Sequence, residues 1–410
     1  MSDPVRAQYE AYPYPARDPR DEARRLITGS PSHLLEIDHY LFAARRDPAR
    51  PFRALIAGGG TGDAAIMLAQ QLADHGTDAE VVHLDLSAAS RRIAEERARL
   101  RGLANLRFVT GSLLDAATLG RFDYIDCCGV LHHLDDSAAG LRALATALSP
   151  DGGGIGLMVY GELGRAGVYP TQDLLRMIAP ADAPAADRVA VARRLVKALP
   201  ETNQFRRNPF LADHLSTDAG LFDLLLHARD RAYRLPELLV LLADAGLRPV
   251  TFIEPIRYVP EIYVADPALK RRFADLPVAA RWAAAELLSG AMKVHIVYAV
   301  PGDRTDTVAV PADDAVPALR DMAPDALGRA LRPGQPLVAG FDGFQLSFPM
   351  PRLAGPIAAR IDGARTVAAI RDDLRASVDR GLTDAAFAEA WTETWRVLNG
   401  INRLLIARYA

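Results

Sequence analysis

Arg53-Ala54-Leu55-Ile56-Ala57-Gly58-Gly59-Gly60-Thr61-Gly62-Asp63 is the stretch that decides how the rest of this chain is read. Its apolar first half predicts a short buried strand over 53–57. The glycines at 58, 60 and 62 tolerate positive φ and carry no Cβ, so a ligand can come close to the backbone. A helix predicted over 61–73 would present free N–H groups toward the same place. The spacing narrows the ligand. A dinucleotide loop runs G-x-G-x-x-G/A. Here the third glycine comes one position early and Asp63 fills the Gly/Ala place, which argues against a nicotinamide dehydrogenase. The Gly-Lys-Ser/Thr of a nucleotide-phosphate loop is absent. G-x-G-x-G suits a ligand with no pyrophosphate to cradle.

The same strand-then-helix alternation repeats outward from this loop. Strands are predicted over 80–86, 106–110, 122–130 and 153–159, with helices over 87–101 and 137–148. Ser87 is placed to cap the first of these helices. The alternation indicates an α/β fold with a parallel, doubly wound sheet. It stops over 160–230, a stretch read as a helical insertion after the fifth strand. It resumes with a helix over 235–245, a strand over 248–254, a helix over 279–288 and a strand over 293–300, with a smaller insertion at about 255–278. Residues 1–50 read as an N-terminal arm. In it, Tyr9, Tyr12, Pro13, Tyr14 and Pro15 predict an extended stretch, because proline blocks helix and biases its predecessor toward extended backbone. Helical spacing returns over 32–42. Residues 301–335 carry Pro, Gly and Asp with few large apolar groups and read as a linker. Residues 336–410 regain order as a small C-terminal α+β domain, with a strand or hairpin over 341–348 and helices over 356–360, 367–374 and 385–398. On this reading 301–410 is separable from the domain over 51–300.

The chain has 410 residues, half of them hydrophobic, so it can bury a sizeable core. Forty-eight Lys and Arg stand against 51 Asp and Glu, for a net charge of −3. That balance makes nucleic acid an unexpected partner. Cys127 and Cys128 are adjacent, which suits neither a disulfide nor a spaced metal-ligand set, so no metal is expected and a cytoplasmic, reduced chain is. His214, His227 and Asp230 do not have convincing metal spacing either. The start Met1-Ser2-Asp3-Pro4 lacks the features of a signal peptide, and no run approaches the roughly 20 apolar residues of a membrane span. No membrane partner is therefore expected, while homodimerisation stays open.

Four more segments flank the predicted strands, three at their carboxyl ends, the edge where open α/β sheets bind ligands, and one a turn that feeds the fifth strand. His83-Leu84-Asp85-Leu86-Ser87 puts a carboxylate 23 residues past Gly62. Asp85 can accept both hydroxyls of a ribose, or it can simply cap the helix that follows. Gly111-Ser112-Leu113 offers backbone groups and a hydroxyl to an adenine edge. Asp126-Cys127-Cys128-Gly129-Val130-Leu131-His132-His133-Leu134 and Leu148-Ser149-Pro150-Asp151-Gly152-Gly153 complete the set. Together, in this order and spacing, these motifs resemble the class I S-adenosylmethionine-dependent methyltransferases over about 50–160, with weaker support to 300. The Tyr-x-x-Tyr-Pro-Tyr-Pro start and Tyr160–Gln172 resemble a poorly characterised bacterial subgroup that suggests no substrate.

The resemblance implies a seven-stranded Rossmann-like sheet whose last strand is antiparallel. It implies S-adenosyl-L-methionine as cofactor and S-adenosyl-L-homocysteine as product. Gly58, Gly60, Gly62, Asp85, Leu86, Gly111, Ser112, Leu113 and Cys128 are then the expected cofactor-binding residues. Tyr9 and Tyr14 either close over the cofactor or belong to an arm packed for stability. One position departs from the family: many members carry an acid two residues before the first glycine to hold the methionine amino group, and here that position is Ile56. Another residue or a backbone carbonyl then holds the ammonium, or binding is weaker. Asp126, inside an apolar strand, either bonds a neighbouring backbone or tyrosine or reaches the cofactor pocket; an isolated charge there is costly.

The implied reaction is methyl transfer to an O or N atom of a small-molecule or peptide/protein acceptor. A sulfonium is an activated donor, so the protein mainly positions, desolvates and deprotonates the acceptor. His133, ahead of His132, is the candidate base, and either can instead be structural. Arg165, Tyr169 and Gln172 are the candidate acceptor-binding residues; Arg165 either holds an anion or bridges the insertion to an acid. A catalytically silent cofactor-binding regulatory or scaffold protein is the alternative, suggested by Ile56 and the faint base. His39, Trp391 and Trp395 read as packing residues, the basic helix 91–101 as a solvated face, and the C-terminal segment faintly resembles winged-helix-like peptide-binding modules.

Overall fold

The computed structural model describes residues 4–47, 49–342 and 344–407, which divide into two units. The first comprises Met1–His33, Pro48–Arg248 and Gly290–Gly302. It opens with helix α1 (Pro4–Ala11), so Tyr9 is helical rather than extended; the proline restraint begins only at Pro13. Strand β1 (Phe52–Ala57), almost wholly buried, leads into Gly62, whose φ of 103° turns the chain into α3 (Asp63–Asp74). Strand β2 (Ala79–Asp85) precedes α4 (Ala88–Arg101), capped by the Ser87 hydroxyl accepting from the Ser90 N–H and ended by left-handed Gly102. Strand β3 (Leu106–Thr110), β4 (Tyr124–Cys128), α5 (Ser137–Thr146) and β5 (Gly154–Tyr160) follow.

These strands form the seven-stranded sheet β3-β2-β1-β4-β5-β7-β6, with β6 (Leu247–Phe252) and β7 (Val294–Pro301) supplying the last two. Pairing from β3 to β5 is parallel, and β7 runs antiparallel to β5. The expected Rossmann-like α/β sheet is what forms. The insertion after β5 is helical: α6 (Val168–Ile178), α7 (Ala185–Ala198), the short α8 (Gln204–Arg207) and α9 (Asp213–Ser216), and α10 (Asp218–Leu225). Val168, Leu175, Val189, Ala192, Phe205, Leu221 and Phe222 give it a core of its own, against which Tyr12 of the arm packs.

The second unit comprises Leu34–Asp47, Pro249–Ser289 and Asp303–Ala410, and the chain crosses into it within β6. The expected cut at residue 300 lies beside one of these borders, Gly302/Asp303, and the segments 34–47 and 249–289 join 303–410 as well. Helix α2 (Leu34–Leu41) belongs here because its polar groups are satisfied here. Asn402 donates to Glu36 and accepts from the Tyr40 hydroxyl, Arg320 lies 2.5 Å from Glu36, and the Ile406 N–H donates to His39 Nδ1. Burial holds His39 neutral, its pKa pushed down to about 3, so it is a packing residue. The expected linker 301–335 contains strand Val316–Leu319, which pairs with Leu404–Ala407, and helix Pro324–Ala330. Leu327 and Leu331, four apart, suffice to bury one face of that helix beside Ile357, Ile370 and Trp391. The expected hairpin forms from Leu337–Phe341 and Phe344–Phe348.

Candidate active site

The carboxyl ends of β1 to β5 wall a cavity of about 650 Å³, a size suited to a cofactor and a small acceptor group. Of the expected cofactor residues, Gly58, Gly60, Asp85, Leu86, Gly111, Ser112, Leu113, Cys128 and Tyr14 line it. Gly62 does not; it serves packing instead, since a Cβ there would lie 2.8 Å from the Ala94 Cβ. At Gly60 a Cβ would meet the Tyr14 carbonyl oxygen at 2.8 Å, so the bare backbone lets the arm pass over the loop. The Asp85 carboxylate is held by backbone at both oxygens. One oxygen accepts from the Gly60 N–H at 2.7 Å and the other from the Ser87 N–H at 2.7 Å, while the carboxylate faces the cavity. Each oxygen keeps a lone pair for a ribose hydroxyl.

The arm is pinned to this loop by charge. Arg17 bonds both Asp63 oxygens, the Thr61 hydroxyl donates to the Pro15 carbonyl, and the Glu10 carboxylate accepts from the Ala88 N–H at the start of α4. Arg97, read from sequence as part of a solvated face, is 1% exposed. It lies 2.6 Å from both Glu22 and Asp63 and donates to the Thr61 carbonyl. A helix position turned to the core buries whatever it carries, and here the buried Glu22 and the half-buried Asp63 receive the guanidinium.

The far side, at β4, β5 and the insertion, is built from buried side chains. His133 lines the cavity. His132 does not: it is 1% exposed, stacks on the Tyr160 ring at 3.9 Å, and among the described residues both its ring nitrogens lack hydrogen-bond partners. Burial holds it neutral. The expectation for His132 as a base thus gives way to a packing role, because the single 3-10 turn Leu131–His133 sends neighbouring rings different ways. His133 stacks face to face on His227, with centroids 3.7 Å apart. One residue, Arg229, sets both tautomers. Its carbonyl can only accept, so His133 Nδ1, at 2.8 Å, carries the proton and leaves Nε2 bare in the neutral ring. Its N–H can only donate, so His227 Nδ1 accepts at 3.0 Å and the His227 proton sits on Nε2, 3.2 Å from the Tyr9 hydroxyl. Tyr9 donates to Asp223 at 2.9 Å and Tyr160 donates to its other oxygen at 3.2 Å.

His133, Asp223 and His227 place their nitrogen and oxygen atoms within 4.8 Å of one another, a cluster that the sequence reading passed over. The hydrogen bonds make it a proton network. His227 Nδ1 accepts, so its Nε2 holds a hydrogen and has no lone pair for a metal. Burial raises the Asp223 pKa, an effect that attraction to His133 only partly offsets; burial together with repulsion from His133 keeps His227 neutral. Asp223 left one signal in the sequence, an acid inside the apolar run Leu221-Phe222-Asp223-Leu224-Leu225.

Arg165 lines the cavity at 4% exposure, 3.7 Å over the Tyr160 ring and 2.8 Å from Asp230. Tyr169 and Gln172 stand behind it, outside the cavity wall. The Tyr169 oxygen accepts from Arg165 Nε, and the Gln172 amide is spent on the Leu224 carbonyl and Asp230. Both are corrected from acceptor contacts to supports of Arg165: they lie on the first two turns of α6, the side that Asp230 occupies.

Comparison with known proteins bears on what the cavity holds. Residues 55–153 match the family model of a methyltransferase domain. An uncharacterised protein of Synechococcus sp. is 33% identical over 296 residues, covering 69% of this chain and 68% of that protein. The structure of PKMT2 from Rickettsia typhi in complex with AdoHcy superposes with a TM-score of 0.62 at 12% identity, covering 92% of this chain and 74% of that one, a likeness of fold. Among the described residues no helix is long and apolar enough to cross a membrane.

Proposed function

We infer the reaction from the family: this chain belongs to the class I S-adenosylmethionine-dependent methyltransferases, and we propose that it moves a methyl group to an O or N atom of a small-molecule or peptide acceptor. The residues fit the cofactor. Gly58 and Gly60 present bare backbone to the cavity, Asp85 faces it with free lone pairs, and Gly111–Leu113 close the β3 end. When bound, the sulfonium supplies an activated methyl group. The rest falls to the chain's own groups. His133 Nε2 takes the proton from the acceptor O–H or N–H, and the resulting imidazolium is held by the Arg229 carbonyl at Nδ1 and by the nearby Asp223 charge. Burial keeps the Tyr9 and Tyr160 hydroxyls protonated, so they stay donors to Asp223. Arg165 lines the acceptor side with its charge answered by Asp230, so what it can offer an acceptor there is a guanidinium hydrogen-bond donor rather than a free charge.

The observation that carries this reading is the opposed tautomer setting by Arg229, which leaves one bare ring nitrogen on a cavity-lining histidine. The test is release of S-adenosylhomocysteine from S-adenosylmethionine across pools of small phenols, amines, carboxylates and peptides. Acceptor-dependent release supports the enzyme. Tight cofactor binding with no release from any pool would replace it with the silent binding protein.

A further inference from the structure

Asp126 is a buried acid that the chemistry above does not use. It sits on β4 at 2% exposure and lines the cavity. One oxygen accepts from the Ser32 hydroxyl at 2.6 Å and the other from the Cys128 N–H at 3.1 Å. Among the described residues it has no basic partner within ion-pair distance. Burial pushes its pKa up to about 6, the mark of a carboxylate short of positive charge. A buried charge of this kind is costly unless a cation answers it.

Of the other acids of the wall, Asp63 answers Arg17 and Arg97, Asp135 answers Arg229, Asp136 caps α5 through the Ala139 N–H, Asp223 holds two tyrosines, Asp85 stands on β2, and Asp213 stands on α9 of the insertion, away from β1 and β4 in the chain. Asp126 is the direct partner of Ile56 in the β1–β4 register. Partners in a parallel pair point to the same face of the sheet, and both residues line the cavity. The carboxylate missing from β1 therefore stands one strand over, at the same depth.

We propose that Asp126 receives the ammonium of the cofactor's methionine moiety, taking on β4 the place left by Ile56 on β1, with Ser32 and the Cys128 N–H orienting its oxygens. The proposal rests on the methyltransferase reading. The cavity acid then gains its cation from the ligand, and the free protein carries the uncompensated charge.

The test is calorimetric titration of the full chain with three compounds: S-adenosylhomocysteine, its desamino analogue, and 5′-methylthioadenosine, which lacks the amino-acid end. Wild-type protein should prefer S-adenosylhomocysteine over the desamino analogue by about ten- to hundred-fold, the scale of a hydrogen bond to a charged group. Asp126→Asn should erase that preference and leave 5′-methylthioadenosine affinity within about two-fold, because the adenosine contacts are untouched. A wild type with no preference overturns the proposal whether or not the variant folds. So does a variant that keeps the preference, or one that loses all three ligands equally. Wild-type protein that binds none of the three overturns the methyltransferase reading beneath it.

Discussion

The two halves of the cavity edge recognise in different ways. Around β1, β2 and β3 the wall is largely glycine backbone with two carboxylates, Asp85 and the arginine-paired Asp63, and the loops that make it are short and contiguous. Around β4, β5 and the insertion the wall is a packed group of His133, Asp223, Tyr9, Tyr160 and Arg165, backed by His227 and drawn from segments up to 218 residues apart. A shared cofactor can be met by a fixed backbone shape. An individual acceptor needs side chains, and side chains that must hold protons in set places need burial and partners.

Substitutions can break or sharpen that contrast. The largest effect is expected at His133. His133→Ala should lower kcat by about 10²- to 10⁴-fold, the usual worth of a positioned base, and leave S-adenosylhomocysteine affinity unchanged. Normal turnover would remove the base from the acceptor half. Arg165→Ala leaves Asp230, whose side chain is 0% exposed, without its cation. Urea unfolding should show a loss of about 3–5 kcal/mol, and a loss below 1 would mean that the pair is not a structural bridge. On the cofactor side, Asp85→Ala should weaken S-adenosylhomocysteine by about 1–3 kcal/mol in calorimetry, with any kcat change following occupancy alone. Undiminished affinity would return Asp85 to a purely capping role. The smallest effect is expected at Gly62, outside the wall. Gly62→Ala forces a side chain onto a φ of 103° beside Ala94 and should cost about 1–2 kcal/mol in thermal stability without altering affinity at saturation.

Legibility in the sequence follows the same division. The strand at 52–57, the glycines and Asp85 were readable because each acts within a few residues of its neighbours. His132 and His133 were readable as a pair but not as individuals, since adjacent residues differ only in where a short turn points them. Tyr169 and Gln172 were placed one layer too near the acceptor, because helical spacing says which residues share a face and not what that face meets. Asp126 and Asp223 each showed as an acid in an apolar run. Their partners, Ser32 for one and Tyr9 with Tyr160 for the other, lie tens to hundreds of residues away. In the second unit, residues 301–335 looked like a linker because only Leu327 and Leu331 anchor their helix.

By itself the sequence determined the sheet, the order of its loops and the backbone cradle between β1 and α3, all properties of local pattern and of what glycine permits. The tertiary structure alone decided which histidine faces the cavity, which nitrogen of it is bare, and that the acid absent at Ile56 reappears across the register at Asp126. Those are matters of burial and of fixed donors and acceptors, and an acceptor such as the Arg229 carbonyl acquires its partner, His133 Nδ1, only when segments 96 residues apart have closed around it.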